Sequence, residues 1–335
     1  MKILDIKTQV KNISLKTPFI TALRKVEIIE FVRVEVICSE GKVGVGEAPA
    51  TFAITGENIE IILDSISKIK EDFIGLDVKV ALGELHVTNI GSSAKAALDM
   101  AFMSLLGFLK VKIFTPIKTD VTISLNEPHK MLHDAREAMR NGLDILKVKL
   151  GNDIGLAVEV TSLLAQSLPS ATLLIDANQA WSLEESLDYV NAVKNLKIEL
   201  LEQPVRAKSL EALKIITNVS TIPILADEAV FTLDDVKRVV ESKSADMINI
   251  KLMKCGGVSK AIEIFEYARQ NDVVCMLGSM LEGPYSINAA LYLAFNYRDV
   301  VKYVDLDSPL LYKEKTKELD FVYEGNLISF FGDKL

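Results

Sequence analysis

Five short apolar runs, ILKVKLG, TLLIDANQ, IELLEQP, IPILADE and MINIKLM, each lead into charged or amide side chains. Measured at Lys149, Asp176, Glu202, Asp227 and Lys251, the intervals are 27, 26, 25 and 24 residues. One strand plus one helix of a (β/α)8 barrel takes about that many, roughly 250 residues shared among eight units. Charged residues at the C-terminal ends of successive barrel strands meet at one mouth, where such barrels carry out chemistry. A single acid after a strand is ordinarily a helix N-cap, and a single lysine a surface charge. Independent loop charges have no reason to keep an interval, so five in phase point to a site.

Residue type suggests what the site does. Asp176, Glu202 and Asp227 bring three hard oxygen ligands together, a set suited to one Mg²⁺. Lys149 and Lys251 bracket the trio from either side. Lys147 and Lys149, two apart on a strand, face the same way. Neighbouring ammonium groups disfavour each other's charge, as does a divalent cation, so a lysine here is expected to be tuned toward general-base work near neutral pH.

The order KxK (147–149), D-x-N (176–178), E-Q-P (202–204), D-E (227–228) and N-x-K (249–251) resembles the muconate-lactonizing subgroup of the enolase superfamily. The resemblance implies an α/β fold: a (β/α)8-type, modified (β/α)7β TIM barrel with an α+β capping domain built from the N-terminal region and the C-terminal tail. It implies Asp176, Glu202 and Asp227 as Mg²⁺ ligands and Lys149 and Lys251 as the acid/base pair. Lys147, Asn178 and Glu228 would support them by orienting ligands and lysines.

The flanks agree with that division into residues 1–116, 117–307 and 308–335. MKILDIKTQV, VEIIEFVRVEVICSE and KVGVGEAP alternate as strands, with a turn at Glu40-Gly41. ENIEIILDSISKIKEDFIG and GSSAKAALDMAFMSLLGFLK have helical periodicity. Gly44-Val45-Gly46 lacks any nucleotide-binding continuation and reads as a strand turn. DVTISL opens the barrel, followed by a helix on which His129 and His133, four apart, form a solvated face. VVCMLGSM and KYVDLD bring the strands to eight, and TKELDFVYEGNLISFFGDKL reads as strand, turn and strand returning to the cap.

Composition narrows the partners. A net charge of −8 with no basic tract argues against nucleic acid. No apolar run approaches the ~20 residues of a membrane span, and MKILDIKTQVKNISL has no signal-peptide core. Cys38, Cys255 and Cys275 follow no metal-ligand spacing and are expected as free thiols, so the expected setting is the cytoplasm. A homo-oligomer is expected.

The last strand bears on substrate. Asp305-Leu306-Asp307 sets two carboxylates on one face at the mouth, a cradle for a cation such as an α-ammonium. This DxD, with ITGE (54–57) and the basic residue of FITALR (19–24), resembles the dipeptide epimerases within the subgroup. The expected substrate is a dipeptide whose C-terminal residue is inverted through an enolate by the two lysines. Arg24 would pair with an acidic side chain, pointing to L-Ala-D/L-Glu, a murein-peptide fragment. Phe19, Ile20 and Phe52, with Ser279 and Met280, complete the expected substrate contacts and would otherwise favour an apolar or mixed dipeptide. Muconate cycloisomerase, o-succinylbenzoate synthase or N-acylamino acid racemase would use the same barrel groups but leave the DxD without a task. A mandelate-racemase-like chemistry needs a histidine late in the barrel, whereas His86, His129 and His133 all come early. A barrel kept only for binding would have no need of the intact ligand and lysine set.

Overall fold

The alternation of the first fifty residues forms a three-stranded antiparallel sheet, β1 (Ile3–Ile20), β2 (Lys25–Cys38) and β3 (Val43–Pro49), paired in that order. The structure, a computed structural model, describes residues 1–21 and 24–331; two residues of the FITALR segment and the last four of the tail lie outside it. Helices α1 (Phe52–Thr55), α2 (Ile59–Phe73), α3 (Val78–Val87) and α4 (Ser92–Leu105) follow. Ile62, Ile66, Ile69 and Phe73 make one buried stripe on α2. The buried α4 lies against β3, where a side chain on Gly44 or Gly46 would run into the main chain of Ala101 or Ala97. The Gly-Val-Gly segment is therefore mid-strand and not a turn: its glycines admit a helix.

After β4 (Ile117–Lys118) come eight parallel strands: β5 (Val121–Ile123), β6 (Ile145–Lys149), β7 (Thr172–Asp176), β8 (Leu200–Glu202), β9 (Ile224–Ala226), β10 (Met247–Lys251), β11 (Val274–Gly278) and β12 (Val301–Asp305). They pair in sequence order. Between them run α5 (Pro128–Arg140), α6 (Ile154–Ser167), α7 (Leu183–Val193), α8 (Leu210–Val219), α9 (Leu233–Ser242), the one-turn α10 (Leu252–Cys255), α11 (Val258–Gln270) and α12 (Pro284–Asn296). Capping boxes start α7 (Ser182, Glu185) and α9 (Thr232, Asp235). A single turn, α13 (Ser308–Leu311), follows β12 where an eighth outer helix would stand, which is the (β/α)7β arrangement. His129 and His133 are exposed on α5, as expected.

The two-residue period of the strands sorts the barrel interior. Leu146, Val148, Leu173, Ile175, Leu201, Ile248 and Ile250 face the helices. Leu174, Leu200, Leu225, Met247 and Met276 fill the lower interior as a separate apolar cluster. Above that plug, the next inward positions are Asp176, Glu202, Asp227, Asn249 and Gly278.

No ladder joins β5 to β12. The seam is closed by Asp120 N to Val304 O (3.1 Å), Leu306 N to Thr119 Oγ1 (3.0 Å) and Thr122 N to Asp307 Oδ2 (2.7 Å). The cap is tied down by Glu47 of β3, which accepts from the Tyr285 and Ser286 N–H groups at the start of α12. The tail divides its contacts. Lys313 N donates to Ser14 O, and Glu318 pairs with Arg33, while the hairpin β13 (Phe321–Glu324) and β14 (Leu327–Phe330) pairs with β4.

Candidate active site

Every barrel residue picked out by spacing lies at the C-terminal mouth and is buried. Lys149 ends β6, Asp176 β7, Glu202 β8 and Lys251 β10, while Asp227 follows β9 directly. In register, Lys149 stands beside Asp176 and Asp176 beside Glu202. Since β6 and β10 are four strands apart in a barrel of eight, Lys149 and Lys251 approach from opposite walls. Gly278 of β11 makes room for this, because a Cβ there would sit 3.2 Å from Lys251 Cε and 2.8 Å from Asn249 Oδ1.

Ion pairs thread the set. Lys149 Nζ lies 2.5 Å from Asp176 Oδ2, and Lys251 Nζ 2.7 Å from Asp227 Oδ2. Lys147 Nζ reaches Glu202 Oε2 at 2.7 Å and Asp305 Oδ2 at 2.6 Å. Asn178 N donates to Asp176 Oδ1 (2.9 Å), and Asn249 Nδ2 to Glu202 Oε1 (2.9 Å). Asn178 Nδ2 reaches Glu228 Oε1 only at 3.5 Å.

The electrostatics run against the lysine tuning read from the sequence. Burial alone would lower Lys147, but Asp305, Glu202 and Asp176 outweigh it and raise its pKa well above that of a free lysine. Lys251 is likewise raised: Asp227 and Glu202 overcome burial and the charge of Lys147. Counting neighbouring ammonium groups left out the carboxylates packed on each of them. Burial also works on the acids. For Asp227 it is outweighed by Lys251 and Lys254, which hold the carboxyl far below the usual range. Burial and the adjacent Asp176 push Glu202 up to about 7, against Lys147; burial and Asp227 push Glu228 up to about 8.

Asp176, Glu202 and Asp227 fit a hard divalent cation by donor chemistry. They are oxygen donors on three neighbouring strands. Glu202 Oε2, although ion-paired to Lys147, accepts no well-directed hydrogen bond, and Glu228 Oε2 is buried without any. Lys147 lies between Glu202 and Asp176, at 2.7 and 3.5 Å, and Lys251 and Lys254 each take one oxygen of Asp227. Among the described residues, the acidic trio whose ligand atoms all lie within 4.8 Å is another: Asp120, Asp305 and Asp307.

The cavity over this floor is walled from the cap by Phe19, Thr21, Arg24, Ala53 and Ile54, and from the barrel loops by Ser279, Met280 and Leu281. Asp305 and Asp307 form one side. Among the described residues no carboxylate pairs with the Arg24 guanidinium, and burial lowers its pKa. Two expected contacts fall elsewhere. Phe52, the first residue of α1, is 65% exposed. Ile20 lies outside the cavity with its main chain bonded to Ser124 Oγ and Leu125 N. Glu57 of ITGE caps α4, accepting from Ser93 N (2.7 Å) and Ala94 N (3.1 Å), so this part of the motif sets the cap loop in place.

Three residues escaped the sequence reading. Lys254, on α10, donates to Asp227 Oδ1 (2.6 Å), Asp227 O (2.5 Å) and Asn249 O (2.9 Å). Gln203 Oε1 accepts from Asp227 N (2.9 Å) and Ala229 N (3.1 Å), and its own φ is 38°. Asp120 lies behind Asp305. Gln203 sat within the EQP motif and Asp120 opens the DVTISL strand, but neither carried a signal of its own, and Lys254 and Asp120 act through partners distant in the chain.

Known proteins share this arrangement. Residues 130–329 match the family model "Enolase C-terminal domain-like". The L-amino acid-D/L-Glu epimerase of Sulfurimonas denitrificans is 58% identical, over 97% of this chain and 98% of its own. A substrate-liganded L-Ala-D/L-Glu epimerase from Bacillus subtilis superposes with a TM-score of 0.93 at 35% identity, covering 98% of this chain and 96% of that one. A dipeptide epimerase from Enterococcus faecalis, complexed with Mg and L-Leu-L-Tyr, does so with a TM-score of 0.91 at 30% identity, covering 98% and 97%. With these motifs, this barrel and these relatives, the chain belongs to the enolase superfamily, in the enolase C-terminal domain-like family that includes the dipeptide epimerases.

Proposed function

We propose that the protein is a Mg²⁺-dependent dipeptide epimerase acting on L-Ala-D/L-Glu and related dipeptides ending in glutamate. The observation that carries this is the pair of lysines on opposite walls of one carboxylate-floored cavity, which an inversion at a carbon requires. Asp176, Glu202 and Asp227 would hold the Mg²⁺. Bound there, the ion supplies positive charge to the substrate carboxylate as negative charge develops on it.

The chain's own groups do the rest. One of Lys149 and Lys251, as the free amine, takes the α-proton from its face. The other, as the ammonium, delivers a proton to the opposite face of the enolate, so each turnover exchanges one proton and inverts one centre. Asn178 orients Asp176, and Gln203 and Lys254 fix Asp227. Asp305 and Asp307 take the N-terminal ammonium, and Arg24, paired with no carboxylate among the described residues, takes an acidic side chain. The names of the Sulfurimonas and Bacillus relatives support glutamate at the second position. The free thiols suit a reducing cytoplasm, where murein-peptide fragments ending in glutamate would be the substrates. The apolar walls formed by Phe19, Ile54, Met280 and Leu281 favour, as a second reading, an apolar dipeptide such as the Enterococcus enzyme holds.

Incubation with Mg²⁺ and L-Ala-L-Glu in D₂O tests the reading. Expected are incorporation of one deuterium at the glutamate α-carbon and accumulation of L-Ala-D-Glu. A panel of dipeptides that shows neither with this enzyme rules the reading out.

A further inference from the structure

Asp120 stands one residue ahead of β5. With Thr122 it occupies the inward face, while Val121 and Ile123 join the outer core. Asp120 is 1% exposed, and among the described residues neither of its carboxyl oxygens has a hydrogen-bond partner. One carboxyl oxygen from each of Asp120, Asp305 and Asp307 lies within 4.8 Å of the others. The other two have donors: Lys147 Nζ is 2.6 Å from Asp305 Oδ2, and Thr122 N is 2.7 Å from Asp307 Oδ2. Three buried carboxylates this close do not all ionise, because each charge raises the energy of the next. A proton settles on the member with no donor of its own, and there it turns a repulsive oxygen contact into a hydrogen bond.

We propose that Asp120 stays a neutral acid and donates its O–H to Asp305, holding that carboxylate against Lys147 and keeping a third negative charge out of the cradle. Asp120 does not line the cavity, so it is a positioning residue that acts through Asp305. Burial, then the charge of Asp305, push its carboxyl well above the usual range; Lys147 opposes them and Asp307 adds to them. A fixed Asp305 presents one oxygen to Lys147 and the other to an incoming ammonium. The effect on substrate rests on the dipeptide reading; the protonation does not.

Two measurements test it. The infrared difference spectrum of wild type minus Asp120→Asn at pH 7 should show the C=O stretch of a protonated carboxylic acid, shifted on exchange into D₂O. A difference confined to carboxylate bands overturns the proposal, whatever the enzyme turns over. In kinetics, Asp120→Ala should raise KM for L-Ala-L-Glu about tenfold while kcat changes little, since the hydrogen bond lost is one to a charged group. Asp120→Asn, still neutral and still a donor, should recover most of that loss. If Asn loses as much as Ala, the negative charge was what mattered and the proposal fails. An acid band together with inactivity on every dipeptide sinks the substrate reading alone, and should the Ala variant not fold, the infrared spectrum decides.

Discussion

Lys254 and Asp227 are joined twice over: the lysine Nζ meets both Oδ1, at 2.6 Å, and the main-chain oxygen, at 2.5 Å. The side chain of a proposed metal ligand and the end of its strand are thus held by one ammonium. Removing one partner of a buried pair costs about 3–5 kcal/mol, and Lys251 remains on the other oxygen. Lys254→Met should lower the melting temperature by several degrees and weaken Mg²⁺ affinity about tenfold or more, read by calorimetry. Wild-type Mg²⁺ affinity in a folded variant would refute this role.

The metal site gives the broadest prediction. Asp176→Asn, Glu202→Gln and Asp227→Asn should each reduce kcat by about a thousandfold or more, the equivalent of several kcal/mol of lost charge stabilisation. Excess EDTA should silence the wild type, and added Mg²⁺ should restore it. Ready turnover in chelator would sink the mechanism.

Two-base inversion makes the lysine variants informative in a different way. Lys149→Ala and Lys251→Ala should each lose about a hundred- to ten-thousandfold in epimerisation. Each should still exchange the α-proton of one stereoisomer with solvent, and the two variants should differ in which one. NMR in D₂O on each pure diastereomer reads this directly. An unimpaired variant would remove that lysine from the mechanism.

Arg24 is where the proposed specificity can be tested. If its guanidinium pairs with the glutamate side chain, Arg24→Ala should lose about ten- to a hundredfold in kcat/KM on L-Ala-L-Glu, as expected of a contact worth about 1.5–3 kcal/mol. A dipeptide with an apolar second residue should lose little. Equal losses on both would assign selection to the apolar walls.

The loop after β11 offers a pH test away from the metal ligands. Glu282 accepts from Met280 N (2.7 Å) and from Ser286 Oγ, and burial pushes its carboxyl up to about 7. Because the folded pKa is the higher one, the folded state holds a proton that the unfolded chain has lost between about pH 4.5 and 7. Stability should fall as pH rises through that window and level off above it. The slope should flatten in Glu282→Gln, by on the order of 3 kcal/mol across the window in urea titrations. Equal slopes in both proteins would show that Glu282 is ionised throughout.

The parts of the molecule legible in the sequence are those with a period. Alternation in MKILDIKTQV and VEIIEFVRVEVICSE marked the strands of the cap, and the steady interval put the charged ends of the barrel strands at one mouth. What escaped is contact between residues far apart in the chain. Asp120 meets Asp305 across a seam 185 residues long in sequence, a relation no local pattern encodes. Lys254 carried no signal in the sequence because the one-turn α10 that folds it back has no periodic signature. Phe52 and Ile20 were placed by their nearness to cap-loop motifs, but a helix start turns Phe52 outward and a main-chain bond to the barrel turns Ile20 aside. The lysine tuning was read from charges beside each other in sequence, which leaves out the carboxylates packed on Lys147 and Lys251 in space.

The seam between β5 and β12 has one more consequence. Asp307 closes it with the same carboxylate that would greet the substrate, accepting the N–H of Thr122 where a neighbouring strand would otherwise supply a carbonyl. A group that is both greeter and rivet cannot be traded for a new preference without loosening the barrel. The cap shows no such double duty at Arg24, whose guanidinium pairs with no carboxylate among the described residues. Descendants of this scaffold thus have an inexpensive place to explore new second residues and a guarded one for the first, so change in preference should begin at the cap and reach the last strand late.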